Sequence, residues 1–154
     1  MNDNQAQTIQ LDDTSLDIMR YRQDGLCCSQ ILVKLVLRDL GRENPDLIRA
    51  MAALCYGSGH SEGMCGILTG AACALSVCLE NSEHSERADF LLPLMLDELF
   101  GWFTGRAEAA YGGSRCGEIL AASPDKRACS LLLRDTYEKL TTMLASTACS
   151  KKRM

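Results

Sequence analysis

Nine cysteines occur in the 154 residues, yet no two stand in a Cys-x-x-Cys pair. That absence removes the local signature of a thioredoxin-type dithiol and of the usual zinc knuckle. No Cys-x-x-Cys-His occurs, so covalent c-type haem has no attachment site, and the ferredoxin spacings are missing too. Histidine is scarce: His60 lies in a glycine-dense loop and His84 in a polar break expected at the surface. A basic excess is also lacking. The net charge of −4 argues against a nucleic-acid partner, which would need a positive face. The most apolar stretch, 66–79, is broken by Thr69, Gly70 and Ser76 and is too short for a membrane span. The first residues, Met1-Asn2-Asp3-Asn4-Gln5, do not form the basic-then-apolar start of a secretory signal. Together these absences predict a cytoplasmic chain with no nucleic-acid or membrane partner. A disulfide framework is then not expected, and cysteine is better spent on metal or redox chemistry.

What is present reads as helix. A segment opens at Asp12, carries Leu16, Ile18, Met19 and Tyr21, and stops at Asp24-Gly25. Ile31, Leu32, Leu35, Val36 and Leu40 recur at helical spacing before Gly41. Asn44-Pro45-Asp46 opens another helix whose apolar face runs from Leu47 to Cys55. Met64–Leu79 is nearly all apolar and is therefore the expected buried centre. A long amphipathic segment covers 86–109, with Pro93 as a first-turn residue or a kink. A short helix runs from Cys116 to Ala121, and Ser123-Pro124-Asp125 caps a last one carrying Leu131 to Leu144. No run of period two suggests a strand. The expectation is an all-α, compact single-domain bundle of six or seven helices around a buried central helix. Residues 1–11 are a flexible N-terminus, 12–147 the helical cysteine-rich domain, and 148–154 a basic tail.

Four cysteines fall where helices start: Cys28, Cys65, Cys116 and Cys129. The first turn of a helix carries unpaired N–H groups and about +0.5 of a charge, which favour a thiolate and make a better metal ligand or redox group. Cys116 has Ser114 as a candidate cap and Arg115 as added charge. Cys129 is placed about a turn and a half into its helix, with Lys126 and Arg127 nearby. These four form the candidate site. Cys27 is the alternative to Cys28 should the helix phase differ by one, and His60 is an extra ligand or proton donor. Cys55, Cys73 and Cys78 are expected to act as small hydrophobes, and Cys149 as a bystander in the tail. Gly57-Ser58-Gly59-His60-Ser61-Glu62-Gly63 is neither a dinucleotide fingerprint nor a P-loop. It reads as a turn whose backbone N–H groups approach an anion or sulfur site.

These segments resemble a family of redox-active proteins named for a scattered motif: Cys, then Gly-Cys-Ala-x-x-Gly, then Cys, then Cys. The likeness covers roughly 16–145. It is carried by Gly25-Leu26-Cys27-Cys28-Ser29-Gln30, by the run Gly57 to Ala71, by Arg115-Cys116-Gly117-Glu118-Ile119-Leu120, and by Cys129. Where the family name has Gly-Cys-Ala-x-x-Gly, this chain reads Cys65-Gly66-Ile67 and then Gly70. The resemblance implies an intracellular helical protein of an anaerobic or sulfur-rich redox setting. Its four motif cysteines, Cys28, Cys65, Cys116 and Cys129, would be redox-active or would ligate an iron–sulfur cluster. A related domain occurs in split-Soret cytochromes. The leading expectation is thus a cluster-binding electron-transfer or redox accessory protein working with a redox partner protein, as a monomer or a homodimer. The rivals are a thiol–disulfide redox protein and a structural zinc adaptor.

Overall fold

The computed structural model describes residues 12–80 and 85–147. The expected flexible N-terminus, His84, Cys149 and the basic tail lie outside the described residues. Seven helices account for most of the rest: α1 Asp13–Gln23, α2 Cys28–Asp39, α3 Pro45–Met51, α4 Gly66–Glu80, α5 Ser85–Tyr111, α6 Cys116–Ala122 and α7 Arg127–Ala145. The fold is all-α. Among the described residues the only extended pairing is a single antiparallel bridge between Met64 and Arg115. None of the described helices is long and apolar enough to cross a membrane.

Helix starts follow local chemistry. The Asp12 carboxylate accepts the Ser15 N–H at 2.8 Å and opens α1. Asn44 does the same for the Leu47 N–H at 3.0 Å, and Pro45 fits the first turn of α3 because its missing N–H would have no partner there. α3 ends at Met51, short of the expected Cys55. Ala52–Leu54 tighten into a 3-10 turn, and Tyr56 and Gly57 then take left-handed dihedrals that no right-handed helix can include. On α1 the expected apolar face is also corrected: Ile18 is buried, but Leu16 and Met19 are about half exposed, at 47% and 49%.

α4 is the centre. It packs against α2, α5 and α7, and from Cys65 to Leu79 no residue is exposed. Ile67, Ala71, Ala74 and Leu75 meet Ile31, Leu32 and Leu35 of α2, Leu99 and Phe103 of α5, and Leu132, Leu133 and Leu140 of α7 in one core. Each large side chain buried there contributes about 1.5–3 kcal/mol. Pro93 lies inside α5 rather than in its first turn, and Phe90 and Leu94 of that helix face outward.

Two glycines on α4 set the depth of packing. A Cβ on Gly70 would come within 2.9 Å of the Ser29 backbone, and one on Gly66 within 3.0 Å of the Leu54 carbonyl. Their bare faces let the start of α2 lie directly on the start of α4, which brings Cys28 beside Cys65.

A candidate redox site built from helix starts

The four candidate cysteines do sit at helix starts. Cys28 is the first residue of α2 and Cys116 the first of α6, while Cys65 immediately precedes α4. Cys129 is the third residue of α7, in its first turn rather than a turn and a half in. The reason is that Ser123, Pro124 and Asp125 form a turn ahead of the helix: Ser123 Oγ accepts the Ala128 N–H at 3.1 Å, and Asp125 Oδ1 accepts the Arg127 N–H at 3.1 Å. The starts of α2 and α6 share a device. In each, the residue before the cysteine gives its N–H to a side chain in the first turn: Cys27 to Gln30 at 3.1 Å and Arg115 to Glu118 at 3.0 Å. Arg115, not Ser114, is therefore the cap of α6. Its side chain is exposed, and Arg115 does not line the cavity that the four cysteines share.

The glycine loop joins α6 to α4 in a way opposite to expectation. Its own N–H groups turn inward, Gly59 to the Cys55 carbonyl at 3.0 Å and Gly63 to the His60 carbonyl at 2.8 Å. What it offers outward is carbonyls. The Gly63 carbonyl accepts from Cys116 N–H at 3.2 Å and the Ser61 carbonyl from Gly117 N–H at 2.5 Å. A Cβ on Gly117 would sit 2.7 Å from that Ser61 oxygen. Thus the glycine after Cys116, like the glycine after Cys65, lets a neighbouring backbone close on its cysteine.

All four cysteines line one cavity of about 60 Å³, together with Arg22, Leu26, Tyr56, Ile119 and Lys126. No carboxylate and no histidine lines it; His60 is exposed on the loop. Tyr56 and Lys126 hold positive φ of 55° and 62°, a conformation that costs a non-glycine residue free energy and clusters at functional sites. The Lys126 amine lies 5.3 Å from the centre of the Tyr56 ring.

The thiols do not titrate alike. The neighbouring Cys129 thiol hydrogen-bonds to Cys28, and with Arg22, the Cys28 backbone N–H and Lys126 it lowers the Cys28 pKa to about 6 against the cost of burial. Cys65 is pushed up to about 12, first by burial and then by the charge on Cys28 and Cys116. Cys116 is raised by burial and by Cys28. Cys129 is raised far above its ordinary value, chiefly because it donates to the Cys28 sulfur. At neutral pH the cavity therefore holds one thiolate, on Cys28, and three thiols.

Two expectations about other cysteines change. Cys27 and Cys55 are joined in a disulfide, with Cα atoms 5.9 Å apart. Cys55 is thus not merely a packing residue, and Cys27, which also lines the cavity, is held in this bond rather than standing in for Cys28. The bond ties the cap of α2 to the left-handed turn at Tyr56. Ser29 Oγ lies 3.4 Å from each sulfur and donates to the Met51 carbonyl at 2.7 Å. Cys73 and Cys78 lie in the body of α4, away from the cavity. The sequence reading gave no role to Arg22, a basic residue in the last turn of α1, or to Tyr56. The Asp24-Gly25 turn that folds α1 back onto α2 was the available signal for Arg22.

Among the described residues no three His, Cys, Asp or Glu side chains converge closely enough to hold a metal ion as placed. No curated protein and no solved structure matches the chain. A family model described as "Putative redox-active protein (C_GCAxxG_C_C)" does match, over residues 26–143, and the chain belongs to that family.

Proposed function

We propose that this redox protein works through a two-electron thiol couple in which Cys28 is the nucleophilic thiolate and Cys129 the resolving thiol. The observation that carries the reading is that Cys28 and Cys129 line the same cavity, with Cys129 the main influence lowering the Cys28 pKa. In the exchange, Cys28 Sγ attacks one sulfur of a partner disulfide. The partner S–S bond breaks, and its second sulfur leaves as a thiolate. Once Cys28 is bound in the mixed disulfide its charge is gone, and with it the main cause holding the Cys129 proton in place. Cys129 then ionises and attacks Cys28 Sγ. The partner leaves as a dithiol, having taken one proton from Cys129 and one from solvent, and Cys28–Cys129 becomes the disulfide, so two electrons have moved to the partner. A redox partner carrying a disulfide or dithiol is implied.

A second reading is favoured by a separate observation: four free cysteines, beside the disulfide-bonded Cys27, and no carboxylate or histidine wall the cavity. That donor set has the softness an iron–sulfur cluster selects. Cys28, Cys65, Cys116 and Cys129 would hold the cluster, with release of the protons now on three of them. As placed, the sulfurs are too far apart to share a metal and would have to draw inward, which ranks this reading second. A structural zinc site using His60 has no support in the geometry, because that side chain is outside the cavity.

Anaerobic purification separates the readings. The thiol reading expects a colourless protein with no iron or sulfide. Peptide mapping after titration against a dithiol buffer would then find a Cys28–Cys129 disulfide. Stoichiometric iron and sulfide, with visible absorption that Cys65→Ser and Cys116→Ser both abolish, would replace it with the second reading.

A further inference from the structure

A groove of about 920 Å³ opens between the end of α1, the body of α2 and the start of α3. Its lining is unlike the chain as a whole. Lys34, Arg38, Arg42 and Arg49 line it against a single carboxylate, Glu43, in a protein of net charge −4. The four cations are not equally engaged. Arg38 is held by Asp17 and by Asp39, the latter at 2.9 Å. The Lys34 amine lies 4.5 Å from the centre of the Tyr21 ring. Among the described residues no carboxylate pairs with Lys34, Arg42 or Arg49. These three belong to α2, the turn after it and α3, so unpaired positive charge enters the groove from three separate segments. Tyr21, Leu37, Pro45 and Ile48 add apolar surface between them. The groove also shares a wall with the cysteine cavity. Gln30 lines the groove, accepts the Cys27 N–H at 3.1 Å and donates to the Ile48 carbonyl at 2.9 Å, while Cys27 and Cys28 line the cavity. Tyr21 lines the groove, and its chain neighbour Arg22 lines the cavity.

We propose that the groove docks an acidic segment of the redox partner and so presents the partner's disulfide to the neighbouring cavity. That the partner carries a disulfide rests on the thiol reading; the docking itself rests on the groove. Unpaired guanidinium and ammonium groups match carboxylates, and the apolar surface between them matches the side chains of the same segment. A protein segment fits better than a free small anion for two reasons. The free cations come from separate segments, whereas a phosphate-sized ion would need them gathered on one point and would leave most of the groove to water. Only a longer occupant, moreover, continues past the first turn of α2 to Cys28. In a chain of negative net charge the local attraction also orients the encounter, since an acidic partner is drawn to this face and repelled by others.

The probes are two synthetic peptides of equal length, each closed by one internal disulfide. One is rich in glutamate and leucine, and the other has glutamine in place of every glutamate. Binding is read first, by amide NMR shifts in Cys28→Ser, where no exchange at Cys28 can occur. The acidic peptide saturably shifts the groove-lining amides of α2 and α3, and the glutamine peptide does not. In Arg42→Gln/Arg49→Gln, built on the same background and checked for folding by circular dichroism, affinity for the acidic peptide falls about tenfold or more. An equal charge change away from the groove, Arg106→Gln/Lys139→Gln, keeps it within about twofold, because distant exposed charges are screened. Exchange is read second, in proteins that retain Cys28. The reduced wild type reduces the acidic peptide faster than the glutamine peptide. The Arg42→Gln/Arg49→Gln protein reduces the two alike and still reduces uncharged hydroxyethyl disulfide at the wild-type rate. A failed thiol reading abolishes exchange with every disulfide but leaves the shifts in Cys28→Ser, so the two failures are distinct. Unchanged affinity in Arg42→Gln/Arg49→Gln, or shifts confined to other faces, would overturn the proposal. So would displacement of the acidic peptide by stoichiometric inorganic pyrophosphate, which would make the groove a small-phosphate site.

Discussion

Cys65 and Cys78 stand near opposite ends of the same helix and are both nearly inaccessible, at 5% and 1% exposure. Their surroundings differ completely. Around Cys78 the helix meets other apolar side chains, and the cysteine is one more small residue in the core. Around Cys65 two glycines strip the helix bare, a disulfide-tied turn lies nearby, and four further cysteines, one of them the disulfide-bonded Cys27, share its cavity with two cations. Burial alone therefore says nothing about the role of a cysteine in this chain. What separates the two ends is whether neighbouring backbone and charge are arranged around the sulfur.

The sharpest test of that contrast is serine replacement. Cys28→Ser removes the thiolate and lowers redox turnover by about a hundredfold or more, since an alcohol does not attack a disulfide at neutral pH. Cys78→Ser keeps activity within about twofold but loses stability, because a hydroxyl replaces a thiol in an apolar core. Activity with a dithiol-reducible substrate and thermal melting, measured on the same samples, check both halves. Equal loss of activity in the two variants would dissolve the distinction between the ends of α4.

The packing that makes the difference is tested at Gly70. Its Cβ would meet the Ser29 Cα and carbonyl oxygen at 2.9 Å, both backbone atoms that cannot swing away. Gly70→Ala should cost about 1–3 kcal/mol as overpacking. At about 2–4 °C per kcal/mol for a chain of this size, that is a melting shift of several degrees. The variant also pushes α2 off α4, so redox activity falls with stability rather than independently of it.

Much of this arrangement was legible in the residues, and the limits have physical causes. Asn44-Pro45, Asp12 and the Cys28 start announced themselves because caps are local, needing only a side chain and an N–H three residues on. The central helix was legible because it has no charge to show to water. The meeting of four helix starts could be inferred as a set. The Cys27–Cys55 bond could not, because it joins residues 28 apart and depends on how the Tyr56 turn lies over α2. Arg22 was hidden for a similar reason. A basic residue at a helix end is ordinarily explained by the dipole, and only the fold shows it lining the cavity with Cys28. The glycine loop was recognised but its sense was inverted, since sequence does not reveal whether a turn presents N–H groups or carbonyls.

Titration probes the cavity end alone. With its pKa lowered from 9.0 to about 6, Cys28 is mostly thiolate at pH 7. Its alkylation rate should be flat above pH 7 and should fall about tenfold per unit below pH 6, following the thiolate fraction. Cys73, raised by burial, should still be gaining reactivity above pH 9. A Cys28 profile with its midpoint near 9 would show that neither Cys129 nor the two cations act on it, and the cavity end would then differ from the core end in shape only.

The smallest effect is expected at Gly101, and it decides what the Gly70 result means. Both glycines lie inside helices, so both weaken their helix through backbone entropy, by about 0.5–1 kcal/mol relative to alanine. They differ in what a side chain would meet. At Gly101, exposed on α5, nothing lies within 4 Å of the added Cβ, and φ is not in the left-handed region. Gly101→Ala should therefore stabilise the protein by roughly that amount, mainly by restricting the unfolded chain. The same entropic gain is present in Gly70→Ala but is outweighed by collision with Ser29. Measured by urea denaturation, the two substitutions should have opposite signs. If Gly101→Ala destabilised the protein as much as Gly70→Ala, the cost at Gly70 would reflect a general intolerance of its helices rather than the close approach of α2. The glycines would then no longer explain why the cysteines meet where they do.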